Sequence, residues 1–182
     1  MSRKTIAVVC SDVHAGNHKR FGGATEASLN ERCRHVLDVF DRACAATIAS
    51  GAGYMIVAGD LFDVARPEPS LLARVQTALR NLREEGVEPI LLVGNHEKTS
   101  TAVGDNALAP LRDHARVIYR PELIDDPHVE IICVPFLSGP VNDWLRGAIG
   151  QALQSSTQKG DVFPLPTPRI DRKSTRLNSS HR

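Results

Sequence analysis

The stretch LLVGNHE, residues 91–97, places an amide, an imidazole and a carboxylate directly behind a run of apolar residues. The run itself, PILLV at 89–93, is typical of a buried strand, and one glycine would be enough to turn the chain after it. The three polar side chains therefore predict a functional loop rather than a simple turn.

Two earlier loops have the same character. SDVH, residues 11–14, follows the apolar run TIAVVC at 5–10, and GDLFD, residues 59–63, follows YMIVA at 54–58. Each run has the length and β-branched content of a strand, and the first one is predicted to be buried on both faces, as parallel strands are.

Helical patterns separate the three strands. Ser28 and Glu31 form an S-x-x-E capping box, after which apolar residues recur at steps of three and four until Gly51: Cys33, Val36, Leu37, Phe40, Cys44 and Ile48. A second helix is predicted from about Ser70 to Gly86, with one apolar stripe: Leu72, Val75, Leu79 and Leu82. The order β-α-β-α-β predicts an α/β fold with a mostly parallel sheet and helices on both of its faces.

The chain beyond the third strand carries weaker patterns. They predict a short helix over Ala107 to Leu111, strands over 116–120 and 129–136, and a helix from Trp144 to Leu153. Residues 160–170 are proline-rich and are predicted to be a linker or a truncated continuation of the domain. Residues 171–182 resemble a translated sequencing adapter from Asp171 to His181, so we treat them as a non-native tail.

The composition fits one globular domain. The 182 residues are 42% hydrophobic and 24% charged, and a net charge of +1 neither demands nor excludes a nucleic-acid partner. The four cysteines contain no C-x-x-C pair and are interpreted as reduced, structural residues. The first apolar run is too short for a membrane span and lacks a signal-peptide pattern, which predicts a cytoplasmic protein without a membrane association.

The three polar loops are predicted to meet at one edge of the sheet. Functional crevices in open parallel sheets lie outside the carboxyl ends of the strands, so Asp12, His14, Asp60 and Asn95 should come together there. This mixture of oxygen and nitrogen donors suits a divalent ion such as manganese, iron, zinc or magnesium. A carboxylate can bridge two such ions, and Asp60 is our candidate for the bridge.

With its D-x-H, G-D-x-x-D and G-N-H-E motifs, each behind a strand, the chain resembles the calcineurin-like metallophosphoesterase family over about residues 5–136. The resemblance implies a sandwich-like α/β fold and phosphoester hydrolysis with two divalent metal ions. It assigns Asp12 and His14 to the first metal, Asp60 to both and Asn95 to the second. It also implies that His96 stabilises the transition state or protonates the leaving oxygen, whereas Glu97 would only support the ligands.

Within that family, SDVHAG at 11–16 and AGDLFDVARP at 58–67 are most similar to the SbcD-type exonuclease subunits. That similarity implies manganese as the preferred metal, DNA as substrate and an ABC-type ATPase as partner. It also implies that Asp63 helps to place the substrate. Lys19 and Arg20 follow His14 closely and are predicted to contact a DNA phosphate, the alternative being an ordinary solvated pair.

The chain also departs from the family pattern, which continues with a later G-H and a later G-H-x-H. Neither occurs in these 182 residues, so residues 1–159 are interpreted as the amino-terminal portion of the phosphoesterase domain. On this pattern a second metal would keep only Asp60 and Asn95, and we expect at most one tightly bound ion and low activity. Two alternatives stay open: a phosphoesterase acting on a nucleotide or phosphoprotein, and a non-catalytic module that binds DNA or an ATPase.

Overall fold

The computed structural model describes residues 5–98, 105–136, 146–147 and 150. In chain order its elements are β1 (Ala7–Cys10), β2 (Thr25–Glu26), β3 (Leu29–Asn30), α1 (Glu31–Ala49), β4 (Tyr54–Val57), α2 (Pro69–Glu84), β5 (Glu88–Leu92), a 3₁₀ helix (Ala109–Leu111), β6 (Arg116–Ile118), β7 (Glu122–Asp126) and β8 (Val129–Cys133). Most of the helix predicted over 144–153 lies outside the described residues, as does all of 160–182.

Within the described ranges, the central sheet has four parallel strands in the order β1-β4-β5-β6. Its register pairs Val9 with Ile56, and Ile56 in turn with Ile90. The prediction of an α/β fold built on a mostly parallel sheet is therefore confirmed.

Alternate residues of the central sheet, taken together with Val93 directly after β5, face two different layers, as the period of two in a strand requires. One set packs with α1 and α2 in the larger core: Met55, Val57, Leu91 and Val93. The other set packs with Ile124 and Cys133 of the antiparallel hairpin β7–β8: Ile56, Ile90, Leu92 and Ile118. The sheet is thus sandwiched between a helical layer and a hairpin.

The prediction of helices on both faces is wrong for the described residues, because α1 and α2 contact each other and share one core. The strand order explains this arrangement. Each crossover moves one strand further in the same direction along the sheet, and right-handed crossovers that never reverse direction place their helices on the same face.

The start of α1 also differs from the prediction. Asn30 is the N-cap, and its side-chain oxygen accepts a hydrogen bond of 2.9 Å from the Cys33 amide. Ser28 lies outside the helix with φ of 67°, so the Ser28–Glu31 capping box is not formed. Asparagine is as good an N-cap as serine, and this cap lies one turn before the first buried residue of the helix. The end of the helix is as predicted, since Gly51 follows it with φ of 68°.

Two further differences concern β1 and β7. β1 is not buried on both faces: in the described part of the chain it pairs only with β4, and the Val9 side chain is 62% exposed. β7 was not predicted, because its sequence ELIDD is mostly charged and only Ile124 is fully buried. This segment forms a strand because it pairs with β8, and its own amino-acid composition does not favour a strand.

All four cysteines are free thiols, in agreement with the prediction. Cys33, Cys44 and Cys133 are buried, and burial raises the pKa of the Cys44 thiol to about 12. Among the described residues, no helix combines the length and the apolar character that crossing a membrane requires.

Val75 and Val39 offer a matched test of the helical layer. Val75 in α2 is fully buried, whereas Val39 in α1 is 55% exposed. We expect Val75→Ala to lower the free energy of unfolding by about 2 kcal/mol, because it removes buried methyl groups and leaves a cavity. Val39→Ala should change it by less than about 0.5 kcal/mol. Urea unfolding followed by circular dichroism measures both, and equal losses would contradict the described packing.

Candidate metal centre

Backbone hydrogen bonds join the loop after β1 to the loop after β4. The His14 amide donates to the Asp60 carbonyl at 2.9 Å, and the Ala15 amide donates to Leu61 at the same distance. The Asp63 amide donates back to the Ala15 carbonyl at 3.1 Å. The two loops continue the parallel pairing of their strands, so their polar side chains emerge at the same edge of the sheet.

The Glu97 carboxylate joins the loop after β5 to the same edge. Its side chain is fully buried and accepts hydrogen bonds from the amides of Asp60 at 3.2 Å, Phe62 at 2.9 Å and Gly94 at 2.7 Å. Burial raises the pKa of the Glu97 carboxyl, and the three N–H donors oppose that rise. As expected from the sequence, Glu97 supports the neighbouring residues and does not face solvent.

The third loop lies directly against Asp60. The His96 amide donates a hydrogen bond of 3.1 Å to Oδ1 of Asp60. A Cβ atom at Gly94 would overlap Oδ1 and the amide nitrogen of Asp60, so only glycine fits at this position without displacing the aspartate. Gly94 and His96 therefore fix the direction of the Asp60 carboxylate.

The structure brings the predicted metal ligands Asp12, His14 and Asp60 together. Donor atoms of Asp12, His14 and Asp60 lie within 4.8 Å of one another, and Nε2 of His14 is 3.8 Å from Oδ1 of Asp12. Asn95 is exposed and lines a cavity of about 340 Å³ together with Asp60 and Gly94. Two carboxylates and an imidazole at this spacing fit a divalent ion of the predicted kind.

The backbone at these candidate ligands is strained. Asp12, His14 and Asp60 have φ values of 55°, 49° and 52°, in the left-handed region that residues other than glycine seldom adopt. Such conformations cost on the order of 1–3 kcal/mol each and persist only where the surroundings enforce them. Here the paired loops and the Glu97 carboxylate enforce them, which is typical of a preorganised site.

A second group of side chains lies next to the first. Donor atoms of His14, Asp63 and His96 lie within 4.8 Å of one another, and the two imidazole rings meet edge to face with centroids 4.7 Å apart. His96 Nδ1–H donates to the Asp63 carbonyl at 3.0 Å. This bond raises the pKa of His96 above its usual value, and partial burial opposes the rise. Its other ring nitrogen, Nε2, is not used by this bond.

One residue at the site was missed by the sequence reasoning. His18, which was given no role, has Nδ1 3.4 Å from Oδ2 of Asp63 and Nε2 3.1 Å from the His14 carbonyl. The available signal was a histidine four residues after His14 on the same loop. Lys19 and Arg20 lie further along this loop and are exposed, and their predicted contact with DNA stays a prediction.

The sequence model of the calcineurin-like phosphoesterase family matches residues 7–159. The chain belongs to this family. Membership agrees with the described geometry, in which all three motifs end their strands at one edge and direct oxygen and nitrogen donors toward one another.

Three known proteins are similar to parts of this chain, two in sequence and one in structure. The DNA double-strand break repair protein Mre11 of Methanopyrus kandleri is 34% identical over 89 residues, which cover 48% of this chain and 18% of that protein. Mre11 of Haloferax volcanii is 40% identical over 70 residues, covering 38% and 16%. The matched part of this chain thus spans less than a fifth of either relative. The solved nuclease MPE of Pseudomonas putida has 18% identity and a TM-score of 0.41, over 66% of this chain and 50% of that one.

Gly94→Ala tests the contact between the second and third loops. The added methyl group must displace Asp60, so we expect the Mn²⁺ affinity of the protein to fall about tenfold or more. Calorimetric titration with MnCl₂ measures the change. Gly53→Ala is the matched control, because its Cβ would meet only the Ile6 carbonyl at an ordinary 3.6 Å. An unchanged affinity in Gly94→Ala would show that Asp60 is not a ligand.

Proposed function

We propose that this protein is a manganese-dependent phosphodiester hydrolase that acts on DNA, as the SbcD-type exonucleases do. The observation that carries the proposal is the cluster of Asp12, His14 and Asp60 donor atoms within 4.8 Å, with His96 beside it. Membership in the calcineurin-like phosphoesterase family supports the reaction class.

Each side chain has a proposed role. Asp12, His14 and Asp60 would hold one divalent ion, while Asp60 and Asn95 would contribute to a second. When bound, such ions supply Lewis-acid polarisation of a phosphate and make a water molecule acidic enough to act as hydroxide near neutral pH. Among the residues that the structure describes, Asp60 and Asn95 are our candidates for the second ion, and with two ligands there we expect hydrolysis to be slow.

His96 is the proposed catalytic residue. Its Nδ1–H is held by the Asp63 carbonyl, so Nε2 is the nitrogen left for the substrate. A side-chain exposure of 38% leaves the ring open to a ligand at the sheet edge. From there it would stabilise charge on the phosphoryl oxygens or protonate the leaving oxygen.

DNA is the proposed substrate for two reasons. The two relatives described above are named as DNA double-strand break repair proteins. Lys19 and Arg20 are exposed on the loop that carries His14, where they would contact phosphates of a bound strand. We also propose an ABC-type ATPase as partner, on the basis of the resemblance to SbcD-type subunits. The proposed cytoplasmic location is based on the sequence.

Asp60→Ala separates the enzyme from a binding module and from an esterase with another substrate. We expect the wild-type protein with Mn²⁺ to shorten linear DNA and to hydrolyse bis(p-nitrophenyl) phosphate slowly. Asp60→Ala should lose both activities, because it removes the ligand shared by the two metal positions. Gel analysis and absorbance follow the two reactions.

Asp38→Ala is the matched control for this experiment, since Asp38 is an exposed aspartate on α1 that pairs with Arg74 at 3.6 Å. It should behave as wild type. Turnover of the chromogenic diester without DNA cleavage would point to a different ester. DNA binding without either activity, unchanged in Asp60→Ala, would overturn the enzymatic proposal in favour of a binding module.

A further inference from the structure

His18 sits between two parts of the candidate site, with both of its ring nitrogens near oxygen atoms. Nε2 lies 3.1 Å from the His14 carbonyl oxygen, and Nδ1 lies 3.4 Å from Oδ2 of Asp63. The side chain is only 16% exposed. Both oxygens can only accept, so the ring donates in both contacts when both of its nitrogens carry a proton. In that form it joins the backbone of the loop after β1 to a carboxylate of the loop after β4.

The backbone of His18 is anchored to the start of α1. Nδ2 of Asn30 donates to the His18 carbonyl at 2.9 Å, and the Asn30 amide donates to Oδ1 of Asn17 at 2.9 Å. The same Asn30 side chain caps α1 through the Cys33 amide. The helix cap thus fixes the position from which the His18 ring reaches Asp63.

Asp63 is confined on its other sides. Its Oδ1 lies 3.4 Å from Nδ1 of His14, and a Cβ at Gly16 would already lie 3.0 Å from the Asp63 Cβ. Nδ1 of His14 is buried and, among the described residues, has no hydrogen-bond partner at ordinary geometry, so the Asp63 carboxylate is the acceptor close to it. The opposite nitrogen of the same ring, Nε2, faces Asp12.

Histidine ligands commonly donate their second ring N–H to a carboxylate, which sets the tautomer and raises the basicity of the liganding nitrogen. The His14 ring has this orientation, with Nδ1 toward Asp63 and Nε2 toward the ligand group. His18 contacts the remaining oxygen of that carboxylate. The three side chains form a chain of contacts from the N-cap of α1 to the ligand group.

We propose that His18 is a positioning residue for the metal centre: it holds the Asp63 carboxylate against Nδ1 of His14 and so keeps Nε2 of His14 unprotonated and directed at the ion. The proposal rests on the proposed function only in requiring that Asp12, His14 and Asp60 bind a divalent metal. It assigns His18 no contact with the metal or the substrate.

Substitutions of His18 in the full chain test this role through Mn²⁺ binding, measured by calorimetry without any substrate. We expect His18→Ala to weaken Mn²⁺ binding about tenfold or more, since loss of a group that orients a metal ligand commonly has an effect of this size. His18→Asn places an amide N–H where Nδ1 stands and should stay within about threefold of wild type. His18→Gln, whose amide can reach the His14 carbonyl but not Asp63, should behave like His18→Ala.

The tautomer of His14 provides a second readout, which a role in stability alone would not change. In the metal-free wild-type protein, ¹⁵N spectra should show His14 protonated on Nδ1 and unprotonated on Nε2. His18→Ala should convert this into a mixture of tautomers, and His18→Asn should restore it. His35→Ala is the matched control, because His35 is exposed on α1, and it should alter neither readout.

The thermal melting temperature of each variant shows whether it is folded. If His18→Ala is unfolded, the Mn²⁺ affinities and His14 tautomers of His18→Asn and His18→Gln are compared instead. Equal Mn²⁺ affinity in wild type, His18→Asn and His18→Gln would overturn the His18 proposal while leaving the proposed function intact. An unaltered His14 tautomer in His18→Gln would do the same. Failure of the wild-type protein itself to bind Mn²⁺ would instead overturn the proposed function, and the positioning role with it.

Discussion

The buried carboxylate of Glu97 is the constraint on which the geometry of the site depends. An isolated buried carboxylate is costly, and here three backbone N–H donors offset that cost. The donors belong to Asp60, Phe62 and Gly94, so a single side chain ties the loop after β4 to the loop after β5. The loop after β1 is joined to the same unit by backbone pairing with Asp60 and Leu61. Strand ends that are far apart in sequence thereby become one rigid edge.

This rigidity explains how three candidate ligands can hold a left-handed backbone. Positive φ values are unfavourable for Asp12, His14 and Asp60. The hydrogen bonds around the three residues offset this backbone strain. The functional advantage is preorganisation, since the donor atoms are already gathered before a cation arrives. Asp63 lies 3.4 Å from ring nitrogens of both His14 and His18, and in the positioning role that we propose for His18 these contacts would extend the same principle to the direction of the His14 ring.

The sequence predicts those features that depend on short-range patterns. The strands behind each motif and the apolar faces of α1 and α2 follow from periodicity, and the meeting of Asp12, His14 and Asp60 follows from the rule that parallel strands end at a common edge. Features that depend on three-dimensional pairing were missed or wrong. The strand order decides that both helices share a face, pairing with β8 makes a strand of β7, and His18 contacts Asp63 across 45 positions of the chain. The strand order and the β7–β8 pairing leave no local signature, and the one local signal for His18 is its position four residues after His14.

Amide hydrogen exchange combined with Mn²⁺ calorimetry on Glu97→Gln tests whether this carboxylate holds the loops of the candidate site together. A glutamine keeps the shape of the side chain but offers one oxygen to three donors, so at least one N–H must lose its acceptor. We expect faster exchange at the amides of Asp60, Phe62 and Gly94, unchanged exchange in α1 and α2, and Mn²⁺ binding weakened by about tenfold or more. Glu84→Gln, at an exposed glutamate of α2, serves as the control. Wild-type exchange and wild-type Mn²⁺ affinity in Glu97→Gln would contradict the claim that this carboxylate holds the metal centre together.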